Sequence, residues 1–234
     1  MTTKTDTPQE NLDTHPADWR EQRNKLAQLV GRRVSQLQTK YCRPEPTSYS
    51  RAALAQLRRA ALRLGSDAAM IGPDAFAVDV HTHVPDDHYP LNPDGRPRKL
   101  PEEPTEAELA VHTAMTLYAI HQQSRTLKGM HTTGERPGTA LAKLAKEDGR
   151  ESAVRRRFAA LVTADTYPEL THHLRTMTRM LRDATLPMDY ARLTEDLFTW
   201  QFPNGRNRVR LAWSRDFENA INRPSGKNEK GDTQ

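Results

Sequence analysis

The stretch ESAVRRRFAALVTADTYPELTHHLRTMTRMLR, Glu151 to Arg182, contains two helices and the turn between them. Val154, Phe158, Leu161 and Val162 fall at i, i+4, i+7 and i+8, one stripe of an α-helix. Thr166 and Glu169 then stand in the S/T-x-x-E relation of a capping box, and Pro168 sits in the first turn, where its missing N–H costs nothing. Beyond them Leu170, Leu174, Met177 and Leu181 repeat at i, i+4, i+7 and i+11. Arg175, Arg179 and Arg182 repeat about half a turn away, so one face is predicted buried and the other cationic. Consecutive residues are splayed by roughly 100° on a helix, so Arg155, Arg156 and Arg157 cannot share a face. Arg156 points away from the stripe, with its neighbours flanking it.

The same period extends outward from this stretch. Asp18 and Glu21 offer an N-cap and its partner ahead of Leu26, Val30, Val34 and Leu37, a helix that Gly31 is expected to bend or end. RAALAQLRRAALRL sets Leu54, Leu57, Ala61 and Leu64 on one stripe and Arg51, Arg58, Arg59 and Arg63 opposite, with no acid in the helix to offset them. Thr105 and Glu108 form another capping box before ELAVHTAMTLYAIHQQS, whose apolar residues surround the axis and predict a central helix. A short helix around Leu141 and Leu144 follows, then helices bearing Tyr190, Leu193, Leu197 and Trp200 and, past Asn204-Gly205, Val209, Trp213 and Phe217. The expected fold is all-α, a bundle of about eight or nine helices, in one unit or in two small lobes. Its helical domain spans 18–221 between disordered tails at 1–17 and 222–234, with a Pro- and Asp-rich loop or insertion at 72–104.

Lysine and arginine number 35 against 30 acids, a formal charge of +5, and 35% of residues are hydrophobic, so the core is thin and the partner a polyanion such as nucleic acid. The single Cys42 excludes an intramolecular disulfide and a multi-thiolate zinc site. No segment is long and apolar enough to span a membrane and the N-terminus carries no signal-peptide core, so a soluble, cytoplasmic protein without a membrane partner is expected. No Walker or G-x-G-x-x-G pattern cradles phosphate, no Ser-His-Asp order forms a triad, and no cofactor is implied.

AVDVHTHVPDDH carries the competing chemistry. Asp79, His81 and His83 imitate the Asp-x-His-x-His strand end of metal-dependent hydrolases, in which alternate residues place two imidazoles on one metal. Such enzymes need further strands delivering more ligands, and the remainder reads as helices, so a His81/His83 hydrolase ranks below a polar loop with incidental histidines. His112 and His121 read as packed imidazoles rather than ligands. Most aromatic residues lie on apolar stripes, which leaves arginine–phosphate contacts, without sequence preference, as the mode of binding.

From Arg51 to Phe217 the chain resembles CasB, the small subunit of the type I-E CRISPR surveillance complex Cascade. The resemblance is carried by the order of LRRA (Leu57 to Ala60), HTAMTLYAIHQQS, RRRFAALVTAD, HLRTMTRML, PMDYARLTEDLFTWQFP and VRLAWSRDF. It implies a non-enzymatic all-α subunit, present in two copies beside the crRNA-guided subunits. Such a subunit binds target DNA and the displaced non-target strand and stabilises the R-loop, sequence being read by guide pairing. Carried over, the family's basic surface falls on Arg58, Arg59, Arg156, Arg157 and Arg175; Arg179 and Arg182 join it by helical phase. The Asp79 to Pro104 segment resembles an insertion relative to shorter family members. A third reading is a protein-binding scaffold whose arginines meet acidic neighbours.

Overall fold

Apolar stripes at helical spacing fold into eight helices in the computed structural model, which describes residues 19–63, 82–89, 91–92, 94–97, 104–147 and 149–223. They are α1 (Trp19–Tyr41), α2 (Ser48–Arg63), α3 (Glu106–His121), α4 (Pro137–Ala145), α5 (Glu151–Thr163), α6 (Tyr167–Asp183), α7 (Tyr190–Trp200) and α8 (Gly205–Ile221). Among the described residues the only extended pairing is two isolated bridges, Leu91 with Pro97 and His131 with Met188. The all-α expectation holds. The predicted tail at 1–17, the residues past Arg223 and Asp18 with its predicted capping role lie outside the described residues. Asn222 and Arg223, assigned to the second tail, are held to the bundle, Asn222 N–H donating to the Glu218 carbonyl (3.0 Å) and Lys146 to the Arg223 carbonyl (2.6 Å).

Helix α3 is the axis of the bundle because its sequence is apolar all round: every residue from Ala110 to His121 is buried. It packs against α1, α2, α6 and α7. Its start is fixed locally by the predicted capping box, in which Glu108 N–H donates to Thr105 Oγ1 (3.3 Å) and Thr105 N–H donates to Glu108 Oε2 (2.8 Å). At the start of α6 only half of that motif forms: Thr166 Oγ1 accepts from Glu169 N–H, while the Glu169 carboxylate turns to Asp165 N–H at 2.8 Å.

Histidines on α3 serve the core. His121 Nδ1 lies 2.9 Å from Tyr190 Oη, and His131 Nδ1 accepts from Tyr190 N–H at 3.2 Å. Burial pushes His112 down to about 4 and His121 to about 3, so both imidazoles are neutral at pH 7. Just past α3 the fully buried Gln122 accepts from Met130 N–H (2.9 Å) and donates to the Lys128 carbonyl (3.0 Å), which shapes the loop to α4.

Gly31 does not end α1, which continues unbroken to Tyr41. The glycine is there for approach: a Cβ at this position would stand 3.3 Å from the Ala191 Cβ on α7, tighter than most such contacts. Close approach also explains Gly205, whose absent Cβ leaves room for the Thr199 carbonyl, and the left-handed Asn204 before it (φ 59°) turns the chain from α7 into α8.

The segment read as a loop or insertion joins the core in part. Val84 and Tyr89 are buried, the 3-10 turn Asp86–His88 rests on α1, and Gln22 Nε2 donates to the His88 carbonyl at 2.7 Å. Tyr89 Oη donates to Glu108 Oε1 at 2.8 Å, tying the segment to the capping box of α3.

Candidate nucleic-acid interface

A helix ends with carbonyls that have no partner along its own axis, and its C-terminus carries partial negative charge, so cations gather there. In this chain they gather from far along the sequence. Arg175 of α6 donates from Nη2 to the Ala61 carbonyl at the end of α2 (2.6 Å). Arg125 donates from Nε to the Arg182 carbonyl (3.1 Å) and Lys128 to the Thr185 carbonyl (2.9 Å), both at the end of α6. Arg210 of α8 reaches the Ala164 carbonyl (2.6 Å) at the end of α5 and Asp165 (3.1 Å). Much of the positive charge therefore closes helix ends.

The stripe Arg175, Arg179, Arg182 has the predicted phase but not three available charges. Arg175 is half-buried with its guanidinium turned back onto α2, and burial together with the neighbouring Arg179 charge pushes its pKa down. Arg182 pairs with Asp183 (3.0 Å) and donates to Gln123 Oε1 (3.4 Å). Arg179 is exposed and, among the described residues, makes no hydrogen bond or ion pair.

Helix α5 divides its arginines differently. Arg155 pairs with Glu151 (2.9 Å) and, across to α8, with Glu218 (3.0 Å). Its guanidinium also lies over the Phe217 ring, which is itself stacked on Phe158 at 4.2 Å. The flank position expected from phase thus becomes a tie between helices. Arg157 is exposed and donates only to the Ala153 carbonyl of its own helix (3.3 Å), while Arg156 is exposed without a partner among the described residues. On α2, Arg59 is exposed and Arg58 half-buried, and neither has an acidic partner among the described residues. Side-chain placement is described for α2 only as far as Ala61, so Arg63 lies outside it.

Five of the seven predicted residues, Arg58, Arg59, Arg156, Arg157 and Arg179, therefore present charge without an acid to offset it. Arg58 lies one turn before Ala61, whose carbonyl receives Arg175, and Arg179 lies one turn beyond Arg175 on α6. Arg156 and Arg157 stand apart: α5 packs on α4, α6 and α8, whereas α2 packs on α1 and α3. Helix α6, which packs on α5 and whose Arg175 reaches α2, lies between the two groups.

Sequence reading passed over a third cluster. Trp19, Arg20 and Arg23 in the first turns of α1 face Glu195, Asp196 and Thr199 of α7 and Arg208 of α8 across an open cavity of 470 Å³. Arg20 and Arg23 are three apart on α1, but the partners that make a site of them are some 175 residues downstream, and no local pattern announces that.

The metal reading gains no geometry. Asp79 and His81 lie outside the described residues, and His83 is an exposed residue whose carbonyl accepts from Arg33 (2.7 Å). Among the described residues no group of three or more His, Cys, Asp or Glu side chains is placed to hold a metal. Cys42 is partly buried, and burial pushes its thiol pKa up, away from the reactive thiolate.

Comparison with known proteins adds a separate line. The family model for CRISPR-associated protein Cse2 matches residues 53–217. The crystal structure of CasB from Thermobifida fusca is 34% identical, covering 82% of this chain and 97% of that one, with a TM-score of 0.60. That of CasB from M. ruber is 19% identical over 81% of this chain and 94% of that one, with a TM-score of 0.49. No curated protein matches the chain.

Proposed function

Since the chain belongs to the CRISPR-associated Cse2 family, we propose that it is the non-catalytic small subunit of a Cascade complex and binds DNA through arginines that its own fold leaves unpaired. The observation that carries this reading is the division of the arginines. Arg155, Arg175, Arg182 and Arg210 are engaged by acids or by carbonyls of other elements, whereas Arg58, Arg59, Arg156, Arg157 and Arg179 have no acidic partner among the described residues and Arg157 reaches only a carbonyl of its own helix. A soluble helix normally mixes charge signs for i, i+4 support, and unpaired arginine is suited to a ligand that brings its own negative charge at regular intervals.

In this reading target DNA and the displaced strand lie against α2, α5 and α6. Guanidinium–phosphate contacts hold the strands apart and stabilise the R-loop, while guide pairing supplies sequence discrimination. Partners are the crRNA-guided subunits and a second copy of the chain; no bond is made or broken here. Replacing the five unpaired arginines with alanine tests it: DNA affinity falls and its salt dependence flattens. A variant that keeps both but fails to join the complex would instead assign these arginines to acidic surfaces of neighbouring subunits.

A further inference from the structure

The cavity at the start of α1 belongs to neither arginine face. Its walls come from three helices: Trp19, Arg20 and Arg23 from α1, Glu195, Asp196 and Thr199 from α7, and Arg208, Val209 and Ala212 from α8. At 470 Å³ it has the size of a small-molecule site, and its lining has two chemical sides.

The cationic side is held in place. The guanidinia of Arg20 and Arg23 stand 5.9 and 5.2 Å from the centre of the Trp19 ring, whose negative face attracts them, and Trp19 itself is only 8% exposed. Arg23 Nε is buried and has no hydrogen-bond partner among the described residues. Asp196 defines the acidic side. Its Oδ2 accepts from Trp213 Nε1 at 2.7 Å, which fixes the carboxyl on α7, and Oδ1 makes no hydrogen bond among the described residues. Beside it Glu195 is anchored by Arg192 at 2.5 Å.

Opposite charges in one cavity ordinarily collapse into ion pairs. Here Arg20 and Arg23 form none with Glu195 or Asp196 among the described residues. The charges that act most on Asp196 are Glu195, Arg136 and Asp216 rather than the guanidinia across the cavity. Burial, the largest influence, pushes its pKa up to about 7, and a donor reaching Oδ1 would offset that desolvation of the charged form. The two sides are preorganised and separated, with room between them for a group that is anionic at one end and a hydrogen-bond donor at the other.

We propose that this cavity binds one nucleotide unit, with its phosphate held by Arg20 and Arg23 and the exocyclic amine of its base donated to Asp196. The proposal rests on the DNA-binding reading above but uses different residues. It favours bases that carry an exocyclic amine, cytosine, adenine or guanine, over thymine, which offers no such group. The same chemistry is presented by a free mononucleotide and by an unstacked nucleotide of a single strand.

The test is calorimetric titration of the full chain with deoxycytidine monophosphate, deoxythymidine monophosphate, inorganic phosphate and a cytosine-containing single-stranded oligonucleotide. Deoxycytidine monophosphate is expected to bind about tenfold more tightly than the thymidine analogue, the difference a hydrogen bond to a carboxylate supports. Arg23→Ala weakens both, and Asp196→Asn, which keeps an acceptor for Trp213, abolishes the preference while leaving phosphate affinity in place. If the oligonucleotide also loses affinity in Arg23→Ala, the strand is a source of the nucleotide; an effect confined to the mononucleotides makes the free nucleotide the ligand. Equal affinity for the two mononucleotides, or no binding of either, overturns the proposal. In that event a loss of DNA affinity in the five-arginine variant would leave the DNA-binding reading standing, so the two fail separately.

Discussion

Arg175 and Arg179 sit one turn apart on the same side of α6, and the fold treats them in opposite ways. Arg175 is half-buried and closes the end of α2 through the Ala61 carbonyl; Arg179 is exposed with no partner among the described residues. Arg155 and Arg156 on α5 repeat the contrast, the first bridging Glu151 and Glu218, the second pointing outward. A cationic face is therefore two populations: guanidinia that complete the bundle and guanidinia left over. Only the second is free to meet phosphate without dismantling something.

Acid offers the largest way to separate framework from faces, because it leaves every guanidinium charged. His112 and His121 have folded pKa values of about 4 and about 3, below the ordinary 6.5, so their cost appears as pH falls below 6.5 and the unfolded chain takes up protons first. Each withdraws about 1.4 kcal/mol of stability per pH unit. Asp196 works the other way: its folded value of about 7 lies above the usual carboxylate range, so it gains stability as pH falls from 7 towards 4 and offsets one histidine. The expected net loss from these groups is about 1.4 kcal/mol per unit between pH 6 and 4, read by denaturant midpoints across that range. A flat profile would contradict the neutral packing of the two imidazoles.

Next in size is Arg175→Ala. Removing a charge-assisted hydrogen bond to a helix-end carbonyl costs about 1–3 kcal/mol, and a melting temperature several degrees below wild type is expected. Arg179→Ala, one turn away, should stay within about 0.5 kcal/mol of wild type; equal losses at the two positions would erase the distinction between them. Smaller again is Arg155→Ala, an exposed pair of ion bridges worth about 0.2–1 kcal/mol and weakened by salt. Arg156→Ala should leave thermal stability unchanged.

What the sequence discloses of this arrangement follows from distance along the chain. The capping box Thr105/Glu108 and the stripes through Val154, Phe158 and Leu161 involve residues within a few positions of one another, and both appear in the structure as the periodicity implies. Phase likewise shows that Arg155 flanks the buried face of α5. It cannot show that a helix end 114 residues upstream receives Arg175. Nor can it show that Gly31 is kept small for Ala191 rather than to stop α1, or that Val84 and Tyr89 carry part of a Pro-rich segment into the core. Periodicity gives the direction of a side chain, whereas its availability depends on which other helix arrives there.

The account turns on the unpaired population, and the salt dependence of DNA affinity measures it directly. Fluorescence anisotropy of single-stranded DNA with the full chain, from low to moderate salt, should give a steep loss of affinity for the wild type. Each phosphate contact removed flattens the slope of log affinity against log salt by roughly 0.7. With Arg58, Arg59, Arg156, Arg157 and Arg179 all replaced by alanine, the slope is expected to flatten by about 3.5, with melting temperature retained. A variant that keeps both its affinity and its slope would contradict the assignment of these arginines to DNA.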